Sequence, residues 1–567
     1  MLSSHTSPLG RPAALCLRNR FMTVTLLSVG LGGTALAETL PETTRKTPPA
    51  PDTARLHTVS SSTARPITGL HAALPAKPQA APAQPKWYGV FGGANGAASG
   101  FGTVGPYGQA RWAEDWSFLA DGNTAAKRHD WFDRLKYIRL NDSGSIWLTL
   151  SGEERLRYIF ETNPAMGHAG VTNASRVMIR NQYGADLHLG QHVRVYAELI
   201  NAEAGGSNTY GYNTGLQRER LDLQQGFVEV KGHLLNATVG AMGGRQLFLD
   251  APVVMQSARD IPNVQQTWDG FRGYAMWKRF RIDVFDFFQT NKAPVGIFSD
   301  GTNYSGRLYG AYTSTALPKF SFLGQPSQLY LDAFFMGYLY GGATASIATA
   351  KVGGLQAGST RRDGIGGRLW GKLGPMTVSL DGIFQGGSFR PANNGQARPV
   401  RAFAVNGSAV YTFAGVRGAP SIGVQADIFS GGNYNKTTGA VGTFGTPYFP
   451  LPYYNDVTLT LNSQNLVGVG PLISFSPAPK VAMRLHAPFF WRDSTQDAIY
   501  GIGRVYTPRG NLQGGYIGAE PQFQASWNFA PHWTWTSDVA GLATSHSAQD
   551  AGLKSSLMFM QTMSLVF

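Results

Sequence analysis

Arg155 and Arg157 are separated by a single residue in the stretch "GEERLRY" at 152–158. In an extended chain, residues two apart share a face. Guanidinium groups set side by side in this way can grip carboxylates bidentately, and they keep their charge at any physiological pH. The same alternation collects further arginines. Arg180 shares a face with Gln182, Asp186 and His188 in "RNQYGADLHLG", and Arg194 shares one with Glu198 in "QHVRVYAELI". Arg484, His486 and Arg492 fall together in "VAMRLHAPFFWR", and Arg272 and Arg368 sit on polar faces of their own segments. The acidic candidates on such faces are fewer: Glu153, Asp186, Glu198, Asp381, Asp427 and Glu520. Some arginines will pair with these carboxylates and stiffen the wall, and the excess leaves a positive potential. Such a set attracts and guides anions.

Bond-making chemistry needs other residues. A hydrolase requires a nucleophile, a base and a group to orient the base. The chain has no G-x-S-x-G, and neither His188 nor His192 has a serine at a suggestive spacing. H-E-x-x-H, paired C-x-x-C and a P-loop are also missing. His486 reads as a solvated histidine on a polar face rather than a base. "SDGTN" at 299–303 reads as a turn, with calcium binding in an exposed loop as the alternative. No catalysis and no cofactor are expected.

The composition bounds what can carry these arginines. The chain of 567 residues has a formal charge of +14 and 70 glycines, and 12% of its residues are aromatic. Its charges do not cluster in a run or along a helix, which argues against nucleic acid as a partner. Arg11, Arg18 and Arg20 precede the apolar "FMTVTLLSVGLGGTALA", which ends on Ala35-Leu36-Ala37. These features predict a secretory signal peptide over 1–37. The only cysteine, Cys16, lies inside it, and removing the three signal arginines leaves a net charge of +11. Residues 38–108 read as a disordered linker, with nine prolines between Pro41 and Pro85 followed by a glycine-rich stretch.

From residue 109 to 567 the pattern is that of strands. In "IWLTLSGEERLRYIF" Leu148, Leu150, Leu156, Tyr158 and Phe160 oppose Thr149, Ser151, Glu153, Arg155 and Arg157. "SIGVQADIF" and "AEPQFQASWNF" repeat the alternation. Tight turns such as "LGQH", "WKRF", "SPAPK" and "FAPHW" alternate with long polar stretches at 161–175, 200–217, 290–305, 340–362, 387–399, 430–455 and 493–513. Short turns at one end and long loops at the other describe an up-and-down barrel in a membrane. At roughly ten residues per strand, the patterned region holds about eighteen strands. The terminal "SSLMFMQTMSLVF" places Leu557, Phe559, Met563, Leu565 and Phe567 on one face, as expected of a closing strand. The predicted fold is therefore an all-β, transmembrane, up-and-down antiparallel barrel. Its apolar faces meet lipid, and its arginines face the lumen.

Several short motifs, taken in order, resemble the outer-membrane alginate-export porins. They are "RWAEDWSFLAD" and "WFDRLKYIRL" within 111–140, then "LTLSGEERLRY", "ADLHLG", "VGAMGGRQL", "IPNVQQTWDGFRGY" and "FFWRDSTQDAIYGIG". The resemblance implies a monomeric Gram-negative outer-membrane barrel of about eighteen strands. It also implies an arginine-lined constriction that passes an acidic exopolysaccharide out of the periplasm. It implicates Arg155, Arg157 and Arg272, and adds Arg245 in "GGRQL" and Arg259 before "IPNVQQTWDGF". The stretch "LFLDAPVVMQSARD" after "GRQ" follows the family pattern loosely. Expected partners are outer-membrane lipid, an acidic polysaccharide and periplasmic export components. The rival reading is a general or substrate-specific diffusion porin for small anions such as sugar acids.

Overall fold

The segment with which the alternation began forms one strand, β1 (Ile146–Thr162). Along it Glu153, Arg155 and Arg157 are buried, while Leu156 and Tyr158 are exposed. That is the reverse of a water-soluble fold, and the same inversion recurs around the whole sheet. The structure is a computed structural model that describes Tyr107 and the chain from Ala110 to Phe567, apart from 115, 117–118, 121–130, 209–213, 250–253, 257–259, 342–357, 393–394, 447–457, 459, 502–503, 507–511 and 513. The expected signal peptide and nearly all of the expected linker lie outside the described residues.

Eighteen antiparallel strands close into a barrel. After β1 come β2 (Asn173–Leu189), β3 (Val193–Ser207), β4 (Glu219–Leu234), β5 (Ala237–Gln246), β6 (Trp268–Met276) and β7 (Phe280–Asn291). The wall continues through β8 (Gly301–Ala316), β9 (Gln325–Tyr340), β10 (Gly358–Leu373), β11 (Met376–Pro391), β12 (Ala402–Thr412), β13 (Ser421–Phe429) and β14 (Leu466–Ala478). Two strands are each in two pieces: β15 (Val481–His486 and Phe489–Trp491) and β16 (Tyr516–Ala519 and Gln522–Trp527). Their breaks fall at Pro488 and Pro521, which have no N–H to donate to a ladder. β17 (Trp533–Thr544) and β18 (Ser556–Val566) complete the wall.

Closure is made by β18 against β1, in register from Glu153 opposite Val566 to Thr162 opposite Leu557. Gly152 and Phe567 then exchange backbone hydrogen bonds of 2.8 and 3.0 Å, so the final residue takes part in the seam. The Phe567 ring stacks on Phe132 at 4.8 Å. It also lies over Gly152, where an added Cβ would stand 2.4 Å from the ring, so a side chain there would displace the Phe567 ring.

The long wall strands begin at Ile146; before it Arg111–Ala113 and Phe132–Leu135 each form a short turn, and Ile138 and Arg139 pair with Leu148 and Trp147 of β1. The expected tight turns all fall at one end. The opposite end carries the long loops, including 247–267, which is not among the stretches expected to be loops. Phe248, Val254 and Met255 of that loop pack with Phe444, Leu461, Ile499 and Tyr506 of two other loops against the inward faces of Phe287, Leu308 and Tyr338. Wall side chains alone cannot fill a barrel of this size. The loops supply an apolar core inside it.

The two faces of β12 give a direct check. Val405 is exposed on the outer face, whereas Ser408 lies on the inner one. Val405→Arg is expected to cost about 2–4 kcal/mol in urea unfolding from lipid vesicles, and Ser408→Arg much less. Equal costs would mean that the outer face does not meet lipid.

Candidate functional site

Loop 247–267 is held against the wall by its own polar residues. The Asn263 side-chain amide donates to the carbonyls of Ile179 (2.9 Å), Glu203 (3.1 Å) and Gln217 (3.1 Å). These three bonds lay the loop across β2 and β3 and present Asp260 to the inward faces of β1 and β2. Three of the sequence-predicted arginines converge there. Arg155 pairs with the Asp260 carboxylate at 3.0 Å and donates to its carbonyl at 2.9 Å. Arg180 lies 2.6 Å from the other carboxylate oxygen of Asp260. Arg157 donates to the carbonyl of Ile261 (2.6 Å) and to the Thr562 hydroxyl (3.0 Å).

A fourth arginine, which the alternation could not find, extends the cluster. Arg111 belongs to a short turn, Arg111–Ala113, and reaches Glu153 at 2.5 Å and Glu198 at 2.8 Å. Glu153 also takes Arg180 at 2.5 Å, and Glu198 accepts from Tyr196 (2.9 Å) and Gln225 (3.1 Å). The result is a buried ladder of alternating charge: Arg155, Asp260, Arg180, Glu153, Arg111, Glu198. Burial by itself would lower the pKa of the Arg111 guanidinium. Glu198 and Glu153 raise it instead, so the group stays charged. Arg194 ties the next residue of the turn down, donating to the Trp112 carbonyl at 2.6 Å, pairing with Glu229 and lying 5.2 Å from the Trp112 ring.

The remaining predicted arginines are spread around the wall. Arg272 pairs with Asp283 (2.7 Å) and donates to Tyr312 (2.6 Å). Arg245 pairs with Asp269 at 2.8 Å near the loop end of β5. Arg368 donates to Ser379 (3.0 Å) and lies 5.0 Å from the Trp370 ring. Arg484 lies on the inner face of β15, half-buried, opposite Gln524 of β16. Arg492, just past β15, donates to the carbonyls of Thr495 (2.9 Å) and Asp497 (3.1 Å). Arg259 lies outside the described residues.

These arginines fall into two groups. Arg155, Arg180, Arg194, Arg245 and Arg272 each have a carboxylate partner. Arg157, Arg368 and Arg492 donate to neutral oxygens, and carboxylates also stand near each of them: Asp260 and Asp538 near Arg157, Asp332 and Asp381 opposite Arg368 in register, and Asp497 near Arg492. Arg362 joins this second group, donating to Gln385 (3.1 Å) and to the Thr443 carbonyl (2.8 Å). Sequence reasoning passed over Arg362, although it lies an even number of residues from Arg368 and so shares its face. Arg281, beside Asp283 at 2.5 Å, was legible by the same rule. Arg111 and Asp260 lie outside the strands and carry no period; only the motifs "RWAEDWSFLAD" and "IPNVQQTW" mark their neighbourhoods.

Comparison with known proteins gives one family. The family model for alginate export matches residues 146–543. No curated protein matches the sequence. Among solved structures, the fold is similar to that of OccAB1 of Acinetobacter baumannii, 12% identical over 74% of this chain and 96% of that one, with a TM-score of 0.46. OccK9 (OpdG) of Pseudomonas aeruginosa is 11% identical over 74% and 98%, with a TM-score of 0.48. The outer membrane protein OprD of the same species is 11% identical over 74% and 93%, with a TM-score of 0.45.

Asp260 is the residue through which loop 247–267 meets the wall charges. Asp260→Ala leaves Arg155 buried without its carboxylate, so unfolding stability should fall by about 3–5 kcal/mol. Single-channel recordings should show larger and noisier openings as the loop loosens. An unchanged trace would mean that the Asp260 pairs do not hold the loop in place.

Proposed function

Since the chain belongs to the alginate export family and is a bacterial outer-membrane barrel of channel type, we propose that it conducts an anionic, alginate-like exopolysaccharide out of the periplasm. The observation that carries this reading is the set of inward guanidiniums held by neutral oxygens: Arg157, Arg362, Arg368 and Arg492. Of these, Arg362 is buried with Tyr338 and Tyr500, not a carboxylate, beside its charge, while Arg157, Arg368 and Arg492 have aspartates nearby. In a confined channel such groups attract anions. At an effective dielectric of 20, opposite charges 4 Å apart interact by about 4 kcal/mol, which offsets the dehydration of an entering carboxylate.

A uronate polymer carries carboxylates at regular intervals, and it meets carboxylates already seated in the ladder. A polymer carboxylate that approaches Arg155 or Arg180 replaces one like itself. The exchange conserves charge pairing, so no single site has to bind tightly. Many contacts of this kind let a chain slide, where one strong site would hold it. We take the barrel to act as a monomer supplied by periplasmic export components.

Planar-bilayer conductance of the mature protein tests the proposal. An anion-selective current blocked by polyuronate but not by a neutral glycan is expected, and Arg157→Glu should lower or reverse the selectivity. Equal passage of small sugar acids without polyuronate block would favour a diffusion porin. Selectivity unchanged by Arg157→Glu would remove that residue from the pore.

A further inference from the structure

At the loop end of the barrel, away from the arginine ladder, three carboxylates converge. Glu219 and Asp222 open β4, and Asp300 precedes β8 within "SDGTN". Residues three apart on a regular strand point to opposite sides. Here the pairing of β3 with β4 slips twice, between Glu198 and Leu199 and between Ile200 and Ala202, and both acids are buried. The "SDGTN" segment is not the plain turn its composition suggested, because Gly301 to Asn303 already belong to β8. That extension carries the Asp300 carboxylate inward, where its side chain is fully covered.

Asp222 holds the loop by accepting from the backbone N–H groups of Ser299 (2.6 Å) and Asp300 (2.9 Å). Asp300 accepts from the Ala293 N–H (2.9 Å) and pairs with Lys292 (2.8 Å). Arg245 stands 3.5 Å from both aspartates while pairing with Asp269. Glu219 is different. It is 0% exposed, and neither of its carboxylate oxygens has a hydrogen-bond partner. One oxygen from each of Glu219, Asp222 and Asp300 can be chosen so that all three lie within 4.8 Å of one another.

We propose that Glu219, Asp222 and Asp300 bind a calcium ion that fastens loop 292–300 to the mouth of β4. Charge and geometry both support a divalent cation. Among the described residues here, four carboxylates (Glu219, Asp222, Asp269, Asp300) face two cations (Arg245, Lys292), which leaves two negative charges when all four are ionised, as they would be around a bound cation. Two oxygens bound to calcium at ~2.4 Å can be no more than ~4.8 Å apart, a limit that the three oxygens respect. Calcium accepts irregular all-oxygen ligation, whereas magnesium demands a near-ideal octahedron and zinc prefers nitrogen and sulfur. The orphaned Glu219 carboxylate gains its missing partner from the ion.

The assignment does not depend on what the barrel transports, and the test reads binding alone. Mature protein in detergent, stripped with chelator, is titrated with calcium chloride by calorimetry. One saturable site with a Kd of about 10⁻⁴–10⁻³ M is expected, in the range of extracellular modules. Glu219→Gln and Asp300→Asn should each weaken it by about tenfold. Each variant is checked for a closed barrel by its heat-dependent mobility in detergent gels. Lys292→Gln should tighten binding, since it removes the ammonium that competes for Asp300, and a damaged fold could not produce that gain. Absence of a saturable site in the wild type would overturn the proposal, as would unchanged binding in Glu219→Gln. In either case Glu219 is a protonated carboxyl sharing its proton with Asp300. Failure of Lys292→Gln to tighten binding would remove the ion from beside Asp300.

Discussion

Hydrocarbon offers no hydrogen-bonding partner, so every N–H and C=O of a spanning segment must find one within the protein. For a sheet that condition is met only by closure, because an open edge leaves a row of unpaired groups. Here closure rests on the ladder between β18 and β1 and on its last pair, Gly152 with Phe567. The outer face can be apolar from Leu156 to Phe559 because the edges have been removed. The inner face is then free to be polar.

An inner face rich in charge raises a second problem. Several of its ionic groups are almost wholly buried: Arg180 and Glu198 are 0% exposed, and Glu153 is 1% exposed. A buried ion is costly unless paired and hydrogen-bonded. The inward loops create the burial and also relieve it. Asp260 arrives on one loop to meet Arg155 and Arg180, and Arg111 arrives on the N-terminal turn to meet Glu153 and Glu198. Loop placement and charge pairing therefore depend on each other. The wall arginines hold the loops, and the loops make the wall charges tolerable.

How much of this could be read from the sequence follows from the same division. Period 2 is imposed by the pleat, so the inward positions of Arg155, Arg157, Arg180, Arg194 and Arg484 were legible residue by residue. Strand number and the end carrying the tight turns followed from spacing. The interior could not be read in this way. Arg111 and Asp260 lie in turns and loops, which have no period, and their roles depend on contacts between residues as far apart in sequence as Arg155 and Asp260. The loop 247–267 was hidden for a further reason. Its Phe248, Val254 and Met255 pack inside the barrel, so apolar residues interrupt the polar composition by which loops are recognised.

The difference between the two groups of arginines has a consequence for any anion moving through the barrel. Paired arginines such as Arg180 present no net charge, but they can exchange one carboxylate for another at little electrostatic cost. Under the proposed function, an arginine held by neutral oxygens, such as Arg362, would attract an anion without having to release one. A wall made only of the first kind would not draw a polyanion in, and a wall made only of the second would bind it too firmly to let it go. On the inner faces of β1 and β2, Arg155 and Arg180 pair with Asp260, and Arg157 donates to the neighbouring Ile261 carbonyl within the same cluster. If the barrel passes a polyanion as proposed, attraction and exchange would fall to different side chains, so neither would have to be tuned at a single site.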